Sequence, residues 1–419
     1  MTDIKTDCAI IGGGIAGLWL LNVLKARGLQ TVLIEREALG IGQTLAAQGL
    51  IHSGVKYTLG ARLTAAAEAV ATMPARWRQH FAGALTPSLP SAALLSKQFH
   101  MWSNAAISGR LGSLLASRAL RGRVSPLDST QRPDLFSASG FQGDVYQLED
   151  FVIDTSAVLS ALAAPWQTCL LRGQARKIES AGDAAHVVQV DVDGRQLSIH
   201  THCIVLCAGA GNEALVTAMS RNSNMRQNTN AMQRRPLHQV FVAASDLPEL
   251  YGHCVTGIGS FEPRLTITSH SWTSHSWGTV QTLGERRVWA IGGALATTGI
   301  TRSRQQQIEY AQRELTACLP WLHLDDPCRN ARWATLLIDR AEAATATGGR
   351  PDQAFVADHD GLLLCWPTKL TLTPDLADRV CAILDARNLQ PRRDADIAAM
   401  AGLPRPQLGS RPWETASWT

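Results

Sequence analysis

The sequence predicts an α/β protein of two regions, a parallel βαβ region interrupted by a mainly antiparallel β region. Three observations carry that expectation. The first forty residues run strand, glycine turn, helix, strand, acid. The run His202 to Ala208 is a second apolar strand that ends on glycine, Gly209-Ala210-Gly211, as a buried parallel strand does. Residues 236–300 alternate with period two between turn residues, an antiparallel pattern set inside a βα chain. At 419 residues the chain exceeds one ordinary core, so two packed regions are expected.

The elements follow in chain order. Asp7–Ile11 is an apolar strand that runs into Gly12-Gly13-Gly14-Ile15-Ala16-Gly17. Gly12 permits the tight turn, Gly14 lets the backbone approach a pyrophosphate, and Gly17 lets the next helix lie close to the strand. The helix that follows presents free N–H groups to the phosphates. It spans Leu18–Arg27, with Gly28 as its stop. Thr31–Ile34 is the next strand and ends on Glu35, 18 residues after Gly17. An acid about 20 residues on accepts from a ribose hydroxyl. Strand before and helix after are the context this glycine motif requires, so the N-terminus reads as a Rossmann-like dinucleotide clamp.

A loop rich in Gly, Gln and Ala spans Gly40–Gly60, and a helix over Ala61–Phe81 has a basic far face at Arg62, Arg76 and Arg78. Residues 85–147 are mixed, with an apolar helix around Arg110–Leu120. Asp154 is the expected N-cap of a helix over Thr155–Leu162. Val187–Val192 alternates, Asp193-Gly194 forms a two-residue hairpin turn, and Gln196–His200 returns. The antiparallel region supplies strands at Leu237–Ala243, Arg264–Thr268, Gly278–Thr282 and Val288–Ile291. Arg304–Cys318 is helical and stopped by Pro320. The chain then returns to the first region through Ala334–Ile338, the turn Gly349-Arg350-Pro351-Asp352, the strand Leu362–Trp366 and a helix over Pro374–Ala386. The Pro- and Arg-rich tail from Gln390 is either anchored by Trp413 and Trp418 or loose. The expected division is 1–85, 148–215 and 335–395 for the dinucleotide domain, 86–147 and 216–334 for the substrate domain, and 396–419 for the tail.

Composition is that of a globular protein, 45% apolar and 18% charged. The net charge of +4 is small and makes no case for nucleic acid. Nine cysteines show no C-x-x-C pair and no zinc-ligand spacing, so no metal is expected. Their odd number and the lack of a secretory leader make a reducing cytoplasm the simplest home, with peripheral association with the inner membrane left open. The apolar stretch Ala9–Leu24 is broken by glycines and followed by a strand, and no other stretch approaches the roughly 18 apolar residues of a membrane span.

Taken in order, the N-terminal unit, the Gly40–Gly60 loop, the strand Val205–Gly211 and the late Gly349-Arg350-Pro351-Asp352 turn resemble the D-amino-acid-oxidase-like superfamily of FAD-dependent oxidoreductases. The resemblance implies FAD, bound extended in a glutathione-reductase-like domain. Gln48-Gly49-Leu50-Ile51-His52-Ser53-Gly54-Val55-Lys56-Tyr57 is similar to the flavin loop of the L-2-hydroxyglutarate dehydrogenases and FAD-dependent glycerol-3-phosphate dehydrogenases. Pro367-Thr368-Lys369-Leu370-Thr371 resembles the Gly-Gly-Lys-Leu-Thr segment of the glycerophosphate enzymes. Ala46-Ala47 stands where an Arg-Asn pair is common, and Pro367-Thr368 stands for Gly-Gly. Implied cofactor contacts are Gly12, Gly14, Ile15, Ala16, Gly17, Glu35 and Arg36, then Gln43, Thr44, Gln48, Gly49 and Leu50, then Ala208 and Gly209, and finally Thr368, Lys369 and Leu370.

Four residues are the catalytic candidates. His52 reads as a flavin-side hydrogen-bond donor, a base or a covalent tether; it reads equally as a loop histidine bonded to backbone. Lys369 either stabilises charge on the reduced ring, binds a substrate anion, or is a solvated lysine at a helix entry. Arg350 either grips a carboxylate bidentately or ties its own loop. Arg264 shares a polar face with Thr266 and Thr268, and which face meets the cofactor is open. Lys56 and Tyr57 are weaker candidates, and His270–His275 reads as a polar loop with Trp anchors before a metal site. The expected activity is hydride removal from a carbon bearing OH or NH in a small anionic substrate. A 2-hydroxy acid or polyol phosphate is favoured, with electrons passing to oxygen, a quinone or another acceptor, and a homodimer is compatible with the chain. The alternatives are an amino-acid or amine oxidase of the same superfamily, a tailoring or tRNA-modification flavoprotein, or a flavin-binding partner protein without catalysis.

Overall fold

Apolar strands from widely separated parts of the chain meet in one mixed sheet. The computed structural model describes residues 2–54, 70–103, 124–218, 232–256, 262–272, 286–324 and 330–419, apart from 139, 183, 184, 245, 347, 350, 352 and 393. Thr2–Ile11 lies at the centre of the sheet, parallel to Thr31–Glu35 on one side and to Arg195–Leu206 on the other. Leu170–Arg172 and Leu362–Trp366 extend it at either side, also in parallel. Such strands are apolar throughout because both faces of the sheet are covered. Ile15–Ala26, Thr155–Ala163 and Thr373–Ala386 bury Leu18, Leu159 and Val380 in one shared core. Asp154 Oδ1 accepts from the N–H groups of Ser156 and Ala157 at 2.9 and 3.1 Å, which is the expected cap.

The hairpin turn takes positive φ at both Asp193 and Gly194, as a type I′ turn requires. The return is one continuous strand, Arg195–Leu206, not the two pieces expected at Gln196–His200 and His202–Ala208. The central parallel strand Thr2–Ile11 pairs along nearly its whole length, which leaves no point for a break.

The second sheet has eight strands in the order Arg332–Ala343, Met232–Ala244, Arg286–Gly292, Leu265–Trp272, Gly252–Val255, Phe99–Ser103, Val145–Leu148, Val124–Leu127. All its pairings are antiparallel except that of Gly252–Val255 with Phe99–Ser103. Three expected strands fall in this sheet; the fourth, Gly278–Thr282, lies outside the described residues. So do the helix around Arg110–Leu120 and residues 61–69 of Ala61–Phe81, of which Met73–Phe81 is helical. One expectation is corrected. Ala334–Ile338 does not return to the first sheet but pairs with Met232–Ala244 in the second, from Arg332 opposite Ala243 to Ala343 opposite Met232. Diagonal cross-strand ion pairs accompany that register, Arg235 with Glu342 at 3.0 Å and Arg234 with Asp339 at 3.3 Å. The chain rejoins the first sheet only at Phe355–His359 and Leu362–Trp366.

The tail is anchored, and to both sheets. On the mixed-sheet side, the Leu39 N–H donates to Gln407 O at 2.8 Å, the Gly409 N–H donates to Leu39 O at 3.0 Å, and Arg411 Nη2 donates to Asp154 Oδ2 at 2.6 Å. On the antiparallel side, Trp413 packs on Phe241 and His270, and Trp418 stacks on Trp272 with ring centroids 5.0 Å apart. No helix among the described residues is long and apolar enough to cross a membrane.

Candidate active site

An open cleft, partly continuous with solvent, is lined by residues of both sheets and of the loops that join them. Its floor at one end is the glycine turn. Gly12 has φ +114°, and a Cβ there would stand 2.5 Å from Cys207 O, just past the parallel strand Arg195–Leu206. A Cβ on Gly17 would stand 2.0 Å from Gly12 O. These two residues are therefore required by packing alone. Gly14, Ile15 and Ala16 face the cleft, and the Ile15 N–H donates to Thr44 Oγ1 at 3.2 Å. An oxygen already sits at the helix N-terminus, where the dipole and the free N–H groups favour phosphate oxygens.

Glu35 stands beside the same turn. Its Oε2 accepts from the Gly13 N–H at 2.7 Å and its Oε1 from the Glu37 N–H at 2.9 Å. As placed, the carboxylate braces the turn, a role the motif alone does not specify. Arg36 is exposed and pairs with Glu37 at 2.7 Å, away from the cleft lining. Gly209 brings the second glycine-ended strand to the cleft opposite Gln43, while the Ala208 N–H is held by Asn212 Oδ1 at 2.9 Å. Gly49 serves packing, since a Cβ there would meet Ile153 O at 2.1 Å.

The Gln48–Ser53 segment and the late turn meet although they are far apart in sequence. The His52 N–H donates to Thr371 Oγ1 at 3.1 Å, and Trp77 Nε1 donates to Thr371 O at 2.9 Å. Ser53 is pinned by Asp150 Oδ1, which accepts from its N–H at 2.8 Å and its hydroxyl at 2.6 Å. Leu50, His52, Thr368, Lys369 and Leu370 consequently line one cleft, with His52 only 9% exposed. Gln48 lines it too, but its amide donates to the carbonyls of Thr266 and Ala290 in the antiparallel sheet.

Arg264 is corrected. Its guanidinium forms a two-point ion pair with Glu314 on the Arg304–Cys318 helix, with Nη2 2.9 Å from Oε1. The pair raises the arginine above its ordinary pKa and turns it away from the cleft lining. Arg350, Lys56, Tyr57 and His275 lie outside the described residues. His270 is buried against Trp413 and is not in the cleft.

The antiparallel sheet supplies Gln239, His253, Thr266 and Arg340, and the segment before the strand Leu265–Trp272 supplies Glu262, all of which sequence reasoning missed. Gly292, Thr266 and His253 stand in register on adjacent strands, and Val240 pairs with Ile291, which sets Gln239 beside Gly292. His253 Nδ1 lies 2.9 Å from Thr266 Oγ1, and Glu262 Oε2 accepts from the Thr297 hydroxyl at 3.0 Å. Polar residues at the head of a strand that is otherwise apolar, His238 and Gln239 within Leu237–Ala243, were the available signal.

The residues present fit FAD. The glycine turn excludes side chains where the pyrophosphate would approach, the helix N-terminus offers N–H groups, and the cleft continues past Gly209 to His52 and Lys369. Residues 7–334 match the family model described as DAO, FAD dependent oxidoreductase. The chain is 42% identical over 414 residues to the probable FAD-dependent oxidoreductase PA4991 of Pseudomonas aeruginosa, covering 99% of this chain and 98% of that one. The crystal structure of PA4991 superposes with a TM-score of 0.78 over 99% of each chain. Glycine oxidase from Geobacillus kaustophilus shares the fold at 16% identity, with a TM-score of 0.59 over 95% of this chain and 98% of that one. A short match, 36% identical over 59 residues, links 14% of this chain to 10% of an anaerobic glycerol-3-phosphate dehydrogenase polypeptide of Haemophilus influenzae. The full-length likeness and the glycine cradle agree: the chain belongs to the DAO family and is an FAD-dependent oxidoreductase.

Proposed function

We propose that the enzyme oxidises a small anionic substrate at a carbon bearing OH or NH, and that a 2-hydroxy acid or a polyol phosphate is the substrate class. The observation that carries this reading is the pair of cations in the cleft: Arg340 from the antiparallel sheet and Lys369 from the turn after Leu362–Trp366. A guanidinium and an ammonium that line one cleft can hold a carboxylate or phosphate and orient the chain that carries it. The short likeness to a glycerol-3-phosphate dehydrogenase supports the phosphate option. FAD, when bound, supplies the two-electron acceptor. His52, buried in the cleft wall with its backbone tied to Thr371, is the base that this reading assigns to the hydroxyl or amine proton.

Glu262 favours a second reading. A carboxylate in the same cleft would hold an ammonium group, as an amino-acid substrate requires. Anaerobic bleaching of the flavin by a panel of 2-hydroxy acids, glycerol phosphate and amino acids decides between them. The first reading expects hydroxy acids or phosphates to bleach fastest, and Arg340→Gln to raise KM for them at least about tenfold. Bleaching by amino acids alone, or an unchanged KM in both Arg340→Gln and Lys369→Met, would overturn it.

A further inference from the structure

On the cleft face of the antiparallel sheet, Arg340 is one end of a longer arrangement. The register of Met232–Ala244 with Arg332–Ala343 sets Leu237 opposite Ile338 and Arg235 opposite Arg340. Alternation puts Gln239, Leu237, Ile338 and Arg340 on one face, and all four line the cleft. Gln239 is only 5% exposed, and its Oε1 is buried without a hydrogen-bond partner among the described residues. A buried amide oxygen left unmade is a cost to the fold unless a ligand donates to it. At the other end, Arg340 Nε donates to Arg235 O at 3.1 Å, which fixes the base of its guanidinium. The guanidinium of Arg235 is itself taken by buried Glu342. Four residues of strand, about 13 Å, separate the Gln239 and Arg340 rows, and the ground between them is Leu237 and Ile338.

We propose that these four side chains form a three-part substrate floor. Gln239 accepts from a hydroxyl or amine at the reacting end, beside Gly292 and the flavin-loop residue Gln48. Leu237 and Ile338 cover an apolar spacer, and Arg340 holds a terminal anion. The substrate class is a chain with a donor group at one end, methylenes in the middle and a carboxylate or phosphate at the far end. This inference deepens the proposed function and rests on its anionic substrate.

The test uses FAD-loaded enzyme and the perturbation of flavin absorbance by linear ω-hydroxycarboxylates of increasing length. Unsubstituted carboxylates and diols of the same lengths are measured beside them. Affinity is expected to rise about fourfold per methylene until the apolar ground is covered. The hydroxyl should be preferred over a methyl about tenfold, and Gln239→Met should erase that preference while FAD content is kept. Leu237→Phe should move the best length to a shorter chain, which keeps a readout if Gln239→Met does not fold. A flat length series, or a hydroxyl preference that survives Gln239→Met, overturns the floor. So does a loss of FAD affinity in Gln239→Met with ligand discrimination unchanged, which would give the amide to the cofactor. If carboxylates bind no better than diols, the anionic-substrate reading itself fails. If they bind better without regard to length or Gln239, only the floor does.

Discussion

Gln48 occupies the space that a side chain at Gly292 would need. A Cβ on Gly292 would stand 2.4 Å from Gln48 Oε1, while Gln48 Nε2 donates to Thr266 O at 3.0 Å and Ala290 O at 2.7 Å. The loop on the mixed-sheet side of the cleft is thereby tied to the backbone of the other sheet. Gly292→Ala should eject the amide and cost about 1–3 kcal/mol, measured by urea unfolding. Gln48→Ala should then add little in the Gly292→Ala background. Fully additive costs would show that the two residues do not act together.

The turn under the dinucleotide makes a sharper demand. With φ at +114° and Cys207 O at 2.5 Å from a Cβ, Gly12 tolerates no side chain. Gly12→Ala is expected to yield protein without visible flavin absorbance. Full flavin content in that variant would contradict the placement of the cofactor over this turn.

Thr368 carries strain that a glycine would not. It sits at φ +65°, which a β-branched residue avoids, and its hydroxyl donates to Gln353 O at 3.0 Å. Thr368→Gly should relieve about 1–2 kcal/mol of strain while losing that bond, leaving stability nearly unchanged. Thr368→Val keeps the strain and loses the bond, for a loss of about 1 kcal/mol. Unfolding curves in which the two variants coincide would refute the strain.

Acid stability should depend on His270. Burial pushes its pKa from 6.5 down to about 3, with Arg411 lowering it further and Asp154 opposing. The ring packs on Trp413, and its Nε2 lies 3.0 Å from Thr268 Oγ1. Because the folded value lies below the unfolded one, the contribution is full above pH 6.5 and is lost as the pH falls toward 3. The limiting slope is about 1.4 kcal/mol per pH unit. His270→Phe keeps a ring against Trp413 and should flatten that slope, whatever its absolute stability. An unaltered slope would assign the acid sensitivity elsewhere.

The βαβ clamp was legible because its order of strand, glycine turn, helix and strand is contiguous in sequence, although the clash that fixes Gly12 is with distant Cys207. The Asp154 cap and the Asp193-Gly194 hairpin were legible for the same reason. Arg264 misled because its partner, Glu314, sits on a helix fifty residues away, and nothing near Arg264 announces an ion pair. Gln239 and Arg340 were missed because the face of a strand that meets a cleft is set by register. That register depends on Met232–Ala244 pairing with Arg332–Ala343, a strand the sequence placed in the other sheet. Lys369 and His52 were found through motif likeness, and their convergence through Thr371 appears only in three dimensions.

The anchoring of residues 404–419 to both sheets has a consequence for biogenesis. A ribosome releases these residues after every other part of the cleft has been made. Until Arg411 reaches Asp154 and Trp413 slots against Phe241, the walls of the cleft lack this tie. A nascent chain can thus fold its nucleotide cradle early, yet it gains this fastening between the two halves of its pocket only after every cleft-lining residue has been made.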